Sequence, residues 1–102
     1  MNKVSIIIPT YKRVDLLRKI LTELIYQEHI LEILVVDSDS NDGTKELVNS
    51  FNNKSDILIQ HFDVDNNVSL KRNTGIKKAS ANYLIFMDDD CIPRKSFVED
   101  HI

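Results

Sequence analysis

Short runs of apolar, largely β-branched residues alternate along the chain with segments whose apolar residues recur at every third or fourth position. Continuous short runs are typical of strands buried on both faces, and the longer spacing is typical of amphipathic helices. The pattern predicts strands over residues 4–8, 30–36, 57–62 and 83–87. It predicts helices over residues 14–27, from residues 42–44 onward and over residues 69–79, with an exposed polar loop over residues 49–55. A capping box at residues 96–99 predicts a further helix.

The predicted elements follow the order β-α-β-α-β-α-β-α. This alternation is typical of a parallel sheet that is covered by helices on both faces. Crossovers between parallel strands are right-handed, which leaves few arrangements. We therefore expect an α/β fold with three layers (α/β/α), a mostly parallel sheet and the strand order 3-2-1-4. No internal repeat, low-complexity stretch or linker interrupts the sequence, so residues 1–102 are expected to form a single domain.

Polar side chains gather where the predicted strands end. In an open parallel sheet, ligands bind beyond the carboxyl ends of the strands, at the point where the strand order reverses. Strands 1, 2 and 4 are neighbours in the order 3-2-1-4, so the residues that follow them are expected to line one pocket. The candidate binding residues are Pro9, Thr10, Tyr11 and Arg13 after strand 1, Asp37, Ser38 and Asp39 after strand 2, and Asp88, Asp89 and Asp90 after strand 4.

Three adjacent carboxylates, Asp88, Asp89 and Asp90, follow the last apolar strand. Like charges at this spacing cost stability unless a cation neutralises them. Ligand sets made only of oxygen atoms suit Mg²⁺ or Mn²⁺. Because alternate residues of an extended chain point the same way, Asp88 and Asp90 can share one ion. A solvated acidic turn is the alternative interpretation.

The other strand ends each allow two interpretations. Residues 37–42 have the composition of turns and helix caps, but Asp37 directly follows a buried strand and favours hydrogen bonding to a base or ribose. Lys71 and Arg72, at the start of the third helix, favour a phosphate or belong to a solvated helix face. Tyr11 can stack on a base or cover the edge of the sheet.

Composition and charge exclude several classes of protein. The 102 residues include 13 Lys and Arg against 16 Asp and Glu, which gives a net charge of −3, and 42% of them are hydrophobic. This balance excludes a disordered chain and argues against nucleic-acid binding. No apolar run approaches the about 20 residues of a membrane span. The single cysteine, Cys91, fits a cytoplasmic protein, with membrane association through other parts of a longer protein left open. The three histidines lack ligand spacing and are interpreted as surface or boundary residues.

Four segments together resemble a known family. Residues 4–13 read VSIIIPTYKR, residues 32–44 read EILVVDSDSNDGT, residues 71–76 read KRNTGI and residues 83–90 read YLIFMDDD. In the same order, they resemble the VSIIIPTYNR, EIIVVDDGSTDGT, ARNxGI and YIxFLDDDD motifs of the family 2 glycosyltransferases, which have the GT-A fold. Each motif is weak alone, but four in the right order and spacing make a strong resemblance that spans nearly the whole chain.

The resemblance implies transfer of a sugar from a nucleotide-diphosphate donor to a hydroxyl acceptor, with inversion and with a divalent cation. Thr10 and Tyr11 would border the nucleobase, and Asp37 and its neighbours would contact the base and ribose. Arg72 would lie near the diphosphate. Asp88 and Asp90 would hold Mn²⁺ or Mg²⁺ in the role of the family's DxD motif.

Two departures from the family pattern change the expectation. Ser38 replaces the second Asp of the family's DDGS motif and Asp39 replaces its Gly, so UDP-, dTDP- and GDP-linked sugars all remain candidate donors. Only 12 residues follow Asp90, whereas the family's acceptor site and catalytic base come from the following half. We therefore expect a truncated donor-binding region that is inactive alone, with a glycan, a lipid-linked glycan or a protein as acceptor. A homodimer through the uncovered face is also expected. The alternatives are a non-catalytic nucleotide- or cation-binding module and an interaction domain.

Overall fold

A computed structural model of the chain describes residues 3–88 and residue 98. Four strands alternate with three helices in this part of the chain. The strands are β1 (Val4–Pro9), β2 (Ile30–Asp37), β3 (Leu58–Asp63) and β4 (Tyr83–Phe86). The helices are α1 (Val14–Leu24), α2 (Thr44–Asn52) and α3 (Val68–Lys78). In these residues no helix has the length and apolar character needed to cross a membrane.

The strands form one sheet in the order β3-β2-β1-β4, and every neighbouring pair is parallel. The predicted α/β class and strand order are therefore confirmed. The order reverses beside β1, because β2 lies on one side of it and β4 lies on the other. The loops after β1, β2 and β4 consequently meet at one edge of the sheet.

Alternating side chains of the sheet supply two separate apolar layers. Ile6 and Ile8 of β1 face α1 and α2 within the larger core cluster, whereas Ile7 faces α3 together with Leu34 and Val36. These five side chains have no exposed surface. The central strands β1 and β2 are thus buried on both faces, which is why they appear in the sequence as nearly continuous apolar runs.

Gly75 allows α3 to lie close to the sheet. A Cβ atom at this position would overlap Ile7 Cγ2 and would lie 3.0 Å from both Ile7 Cγ1 and Ile7 Cδ1. A glycine within a helix weakens the helix by about 1 kcal/mol relative to alanine. The close approach of α3 to β1 is the structural reason for this residue.

The helix boundaries differ from the prediction at two places. The predicted polar loop at residues 49–55 is wrong in its first part, because α2 continues to Asn52. Phe51 is buried in the core, and the Asn52 amide accepts from the Ile59 backbone N–H at 2.7 Å and donates to the Ile59 carbonyl. Helix α1 ends at Leu24, three residues short of the predicted end.

The predicted helix at the end of the chain lies almost entirely outside the described residues. Val98 alone is described there, and it is helical and buried in the core. Its backbone N–H donates to Gln27 Oε1 at 2.9 Å.

Candidate functional site

The carboxyl ends of the strands are joined to one another by backbone hydrogen bonds. The Thr10 N–H donates to the Val36 carbonyl, and the Val64 N–H donates to the Asp37 carbonyl, both at 2.9 Å. The Met87 N–H donates to the Ile7 carbonyl at the same distance. The loops that leave this edge therefore start from fixed positions, as a binding site requires.

Lys71 of α3 holds the end of β1. Its ammonium donates to the Thr10 carbonyl at 2.8 Å and to Asn66 Oδ1 at 2.9 Å, and the residue is only 2% exposed. Lys71 thus faces the protein interior rather than the solvated helix face. Thr10 is buried as well, and Pro9 ends β1 in register with Val36.

Tyr11 lies between two cations at the rim of the site. The ammonium groups of Lys12 and Lys71 lie 5.2 and 5.3 Å from the centroid of its ring. Such distances give attraction between a cation and an aromatic ring. The ring keeps part of its surface exposed, so it remains available to a ligand. Arg13, which follows closely, caps α1 through its carbonyl, to which the Leu17 N–H donates.

Asp37 organises the loop after β2. It is 2% exposed, and its Oδ1 accepts a hydrogen bond of 2.5 Å from Ser40 Oγ. Ser40 Oγ in turn accepts from the Lys12 N–H at 2.7 Å, which joins the loop after β2 to the loop after β1. Asp37 therefore holds the loop through its own protein partners, and its predicted contact with a base or ribose stays a prediction.

The remainder of this loop adopts left-handed backbone conformations. The φ angles are +48° at Asp39, +54° at Asn41 and +95° at Gly43. Asp39, which stands where the motif has Gly, thus takes a conformation that favours glycine. Ser38 Oγ is buried and has no hydrogen-bond partner within residues 3–88 and 98. Ser38 and Asp39 leave the loop with one unpaired hydroxyl and one exposed carboxylate.

Arg72 and Asp88 meet beyond the end of β4. Arg72 Nη2 lies 3.9 Å from Asp88 Oδ1, and the guanidinium lies 5.8 Å from the centroid of the Phe86 ring. Both charged side chains are open to solvent, with 50% of the Arg72 side chain and 72% of the Asp88 side chain exposed. Arg72, predicted to bind a phosphate, and Asp88, predicted to bind a cation, are thus neighbours. Asp89 and Asp90 lie outside the described residues.

His61 is the residue of this edge that the sequence interpretation missed. Only 8% of its side chain is exposed, and Nε2 lies 3.5 Å from Asp37 Oδ2 and 3.7 Å from Asp63 Oδ1. The signal for it was the spacing of His61 and Asp63, because residues two apart on a strand point to the same face. A cavity of about 220 Å³ opens beside them, and its lining includes Asp37, Asp39, Lys45, Glu46, His61 and Asp63.

The edge of the sheet therefore has two parts of different chemistry. On one side, Tyr11, Arg72 and Asp88 offer an aromatic ring, a cation and a carboxylate to a ligand. On the other side, carboxylates and one imidazole surround the cavity. Nucleotides are typical ligands at the switch point of such a parallel sheet, so the fold and the charged and aromatic groups at this edge are typical of an α/β protein that binds nucleotides.

Comparison with known proteins gives the family. Residues 5–102 match the family model described as glycosyl transferase family 2. The match covers nearly the whole chain, and the chain therefore belongs to glycosyl transferase family 2.

The curated relatives include glycosyltransferases from archaea and bacteria. Glycosyltransferase AglE of Haloferax volcanii is 39% identical over 102 residues, a match that covers 94% of this chain and 33% of AglE. The GalNAc(5)-diNAcBac-PP-undecaprenol beta-1,3-glucosyltransferase of Campylobacter jejuni is 36% identical over 94 residues, which cover 88% of this chain and 30% of that enzyme. The chain thus spans a third or less of the length of these relatives.

Solved structures confirm the GT-A type of fold. Staphylococcus aureus TarS in complex with UDP-GlcNAc superposes with a TM-score of 0.81 at 27% identity, over 97% of this chain and 30% of that chain. Mannosyltransferase PcManGT from Pyrobaculum calidifontis, in complex with GDP-Man and Mn²⁺, also gives a TM-score of 0.81. It is 25% identical, over 92% of this chain and 29% of that chain.

Proposed function

We propose that this chain provides the donor-binding part of a glycosyltransferase that moves a sugar from a nucleotide diphosphate to a hydroxyl group. The observation that carries the proposal is the pairing of Arg72 with Asp88 at the switch point of the sheet. A cation for the phosphates and a carboxylate for a metal ion then lie side by side, at the same edge of the sheet as Tyr11. The membership of the family and the complexes of TarS and PcManGT with nucleotide sugars support the same reading.

Each side chain has a role that follows from its chemistry. Tyr11 would border the nucleobase with its exposed surface, beside Thr10 and the end of β1. Arg72 would bind the diphosphate, and the nearby Phe86 ring, 5.8 Å from the guanidinium, favours this position of the side chain. Pro9 and Arg13 lie at the start and end of the same loop and would shape it around the base.

The residues present fit a divalent cation. Asp88 offers an exposed carboxylate beside Arg72, and carboxylates together with substrate phosphates are the usual ligands of Mg²⁺. We propose that Asp88 and Asp90 hold Mn²⁺ or Mg²⁺, with Asp89 contacting the donor. The ion would neutralise the charge that develops on the diphosphate leaving group. The complex of PcManGT with Mn²⁺ supports a metal ion in this fold.

The loop after β2 would decide which nucleobase is accepted. Ser38 has a buried hydroxyl that finds no partner in the described part of the chain, and a hydroxyl can donate to or accept from a base. Asp39 is exposed beside it and can accept from a base or ribose. TarS binds a uridine nucleotide and PcManGT binds a guanosine nucleotide, so the fold accommodates either base. UDP-, dTDP- and GDP-sugars are therefore all included in the proposal.

We propose that the catalytic base and the acceptor site of an inverting reaction belong to a further part of the enzyme. The relatives are about three times as long as the matched part or longer. Under this proposal, residues 1–102 bind the donor but do not transfer the sugar by themselves. The acceptor would be a glycan, a lipid-linked glycan or a protein.

A homodimer is part of the same proposal. Tyr83 of β4 and Ile76 of α3 are about half exposed although both are large and apolar. β4 is also an edge of the described sheet, and exposed apolar surface on an edge favours association. Light scattering at several concentrations tests this part, and a monomer at every concentration would refute it.

Calorimetric titration tests the proposed function. The chain is titrated with UDP, dTDP and GDP, each with and without Mn²⁺. We expect at least one of these nucleotides to bind, and to bind more tightly with Mn²⁺. Asp88→Ala and Asp90→Ala should each remove the effect of Mn²⁺, whereas Asp56→Ala, an exposed carboxylate elsewhere, should not. Arg72→Ala should weaken binding, with Lys77→Ala on the same helix as the matched control. A folded chain that binds none of the three nucleotides in the presence of Mn²⁺ refutes the proposal.

A further inference from the structure

Three side chains that can bind metal ions converge at the ends of β2 and β3. Asp37 and Asp63 are partners in the parallel register of these strands, and His61 lies two residues before Asp63. Paired residues of neighbouring strands and alternate residues of one strand share a face of the sheet. The register therefore directs all three side chains to the face that α2 covers, opposite to the face on which α3 carries Arg72.

The distances between the ligand atoms suit an ion better than direct hydrogen bonds. His61 Nε2 lies 3.5 Å from Asp37 Oδ2 and 3.7 Å from Asp63 Oδ1, and all three ligand atoms lie within 4.8 Å of one another. A good hydrogen bond from a ring nitrogen to a carboxylate is shorter, about 2.7–3.0 Å. Ligands that share a tetrahedral ion at bond lengths of about 2.1 Å lie about 3.4 Å apart.

The surroundings hold the ligands and admit an ion. Ser40 Oγ donates to Asp37 Oδ1 at 2.5 Å, and the Asp39 N–H donates to Asp63 Oδ1 at 2.9 Å. Such outer hydrogen bonds orient the ligands of metal sites. The side chains of Asp37 and His61 are more than nine-tenths buried, whereas 47% of the Asp63 side chain is exposed. The cavity of about 220 Å³ beside them gives a route of entry and room for water ligands.

The charge of the cavity selects a cation. Among the residues that the structure describes, its lining includes four acidic residues, Asp37, Asp39, Glu46 and Asp63, and one lysine, Lys45. One imidazole nitrogen and two carboxylate oxygens form a mixed set that suits Zn²⁺, Co²⁺ or Mn²⁺, whereas Mg²⁺ and Ca²⁺ prefer oxygen ligands alone.

We propose that Asp37, His61 and Asp63 form a second metal site, which binds a transition-metal ion of the Zn²⁺ class and is separate from the proposed donor site at Asp88. The ion joins the loop after β2 to the end of β3. None of its three ligands is among the residues proposed above to hold the diphosphate or its cation, so the proposal does not rest on the proposed function.

Metal titration of the full chain in an Asp88→Ala, Asp90→Ala background tests the proposal without nucleotide. Zn²⁺ binding is measured by calorimetry, and Co²⁺ binding by its visible absorption, which reports an imidazole and carboxylate environment. We expect one ion per chain. Loss of an outer-shell partner weakens metal binding by about 10- to 100-fold. His61→Gln and Asp63→Asn each remove a direct ligand, so each should weaken Zn²⁺ binding by more than that. Ser40→Ala removes an outer-shell partner and should weaken it by about 10-fold.

His29→Asn provides the matched control. This substitution also removes one imidazole, and Asn tolerates the left-handed backbone conformation of position 29, where φ is +73°. Zn²⁺ binding should be unchanged. Asp63→Asn alters a half-exposed side chain, so this variant is expected to fold even if His61→Gln does not. Absence of Zn²⁺ and Co²⁺ binding in the folded background protein would overturn the proposal. Binding that survives Asp63→Asn with unchanged affinity would overturn it as well.

Discussion

Replacing Gly75 by alanine should destabilise the protein, although alanine is the better helix former. The added Cβ would overlap Ile7 Cγ2 and lie 3.0 Å from two further atoms of the same side chain. Ile7 cannot move away easily, because it is fully buried and packs in one cluster with Leu34 and Val36. The substitution therefore tests whether close packing of α3 on β1 determines the residue at position 75.

The expected magnitude is a difference of two effects. Alanine in place of glycine stabilises a helix by about 1 kcal/mol. An extra carbon atom in a close-packed core costs about 1–3 kcal/mol, and the overlap with Ile7 points to the upper part of that range. The net loss in the free energy of unfolding should be about 1–2 kcal/mol. For a domain of this size, each kcal/mol lowers Tm by about 4–8 °C.

Urea denaturation followed by circular dichroism measures this loss, and a double-mutant cycle assigns its cause. In an Ile7→Ala background the overlapping atoms are gone, so Gly75→Ala should stabilise the protein by about 1 kcal/mol. In an Ile6→Ala background, where the same atoms are removed from the opposite face of the sheet, the penalty should persist. The packing argument is refuted if Gly75→Ala stabilises the otherwise unchanged protein, or if it costs the same in the Ile7→Ala background.

Three further substitutions test other contacts. Asn67→Ala removes the side chain that accepts from the Leu70 N–H at 2.9 Å. It should lower the free energy of unfolding, measured by urea denaturation, by about 1 kcal/mol, and Asn67→Asp should keep most of the parent's stability. Glu32→Ala leaves the buried Ser5 hydroxyl without the carboxylate to which it donates at 2.7 Å. Thermal unfolding should show that the free energy of unfolding falls by about 1–3 kcal/mol, and Glu32→Gln should lower it by less. Lys71→Met removes the charged donor of the Thr10 carbonyl and should also cost about 1–3 kcal/mol; stability equal to that of the parent would contradict this.

The fold could be predicted because the two central strands, β1 and β2, are buried on both faces. Burial of that kind produces the short apolar runs, and the rules for crossover connections then leave few strand orders. The predicted helix boundaries are wrong at positions where tertiary contacts determine the end of a helix. Residues 49–52 look polar, yet they are helical because Phe51 fills the core and Asn52 pairs with the backbone of β3. The predicted first helix also ran to residue 27, but α1 ends at Leu24 and Tyr26 beyond it is 82% exposed.

The candidate site could be located from the sequence but not fully interpreted. The strand-end rule pointed to Tyr11, Asp37 and Asp88, and all three lie at the carboxyl edge of the sheet. The rule does not say which carboxylates also bind their own loop, as Asp37 does through Ser40. His61 could be assigned only once the register of β2 and β3 was known, because its partners come from both strands.

The charges at this edge explain why donor binding is expected to require a metal ion. The only cation in contact with Asp88 within the described residues is Arg72, at 3.9 Å. That guanidinium already offsets one carboxylate, and Lys71 is committed to the Thr10 carbonyl and to Asn66. A diphosphate adds at least about two negative charges beside Asp88 and its two acidic neighbours in the sequence, and like charges at such distances repel strongly. Under the proposed function, a divalent ion held by these carboxylates would offset the repulsion, and nucleotide affinity without the ion should be low.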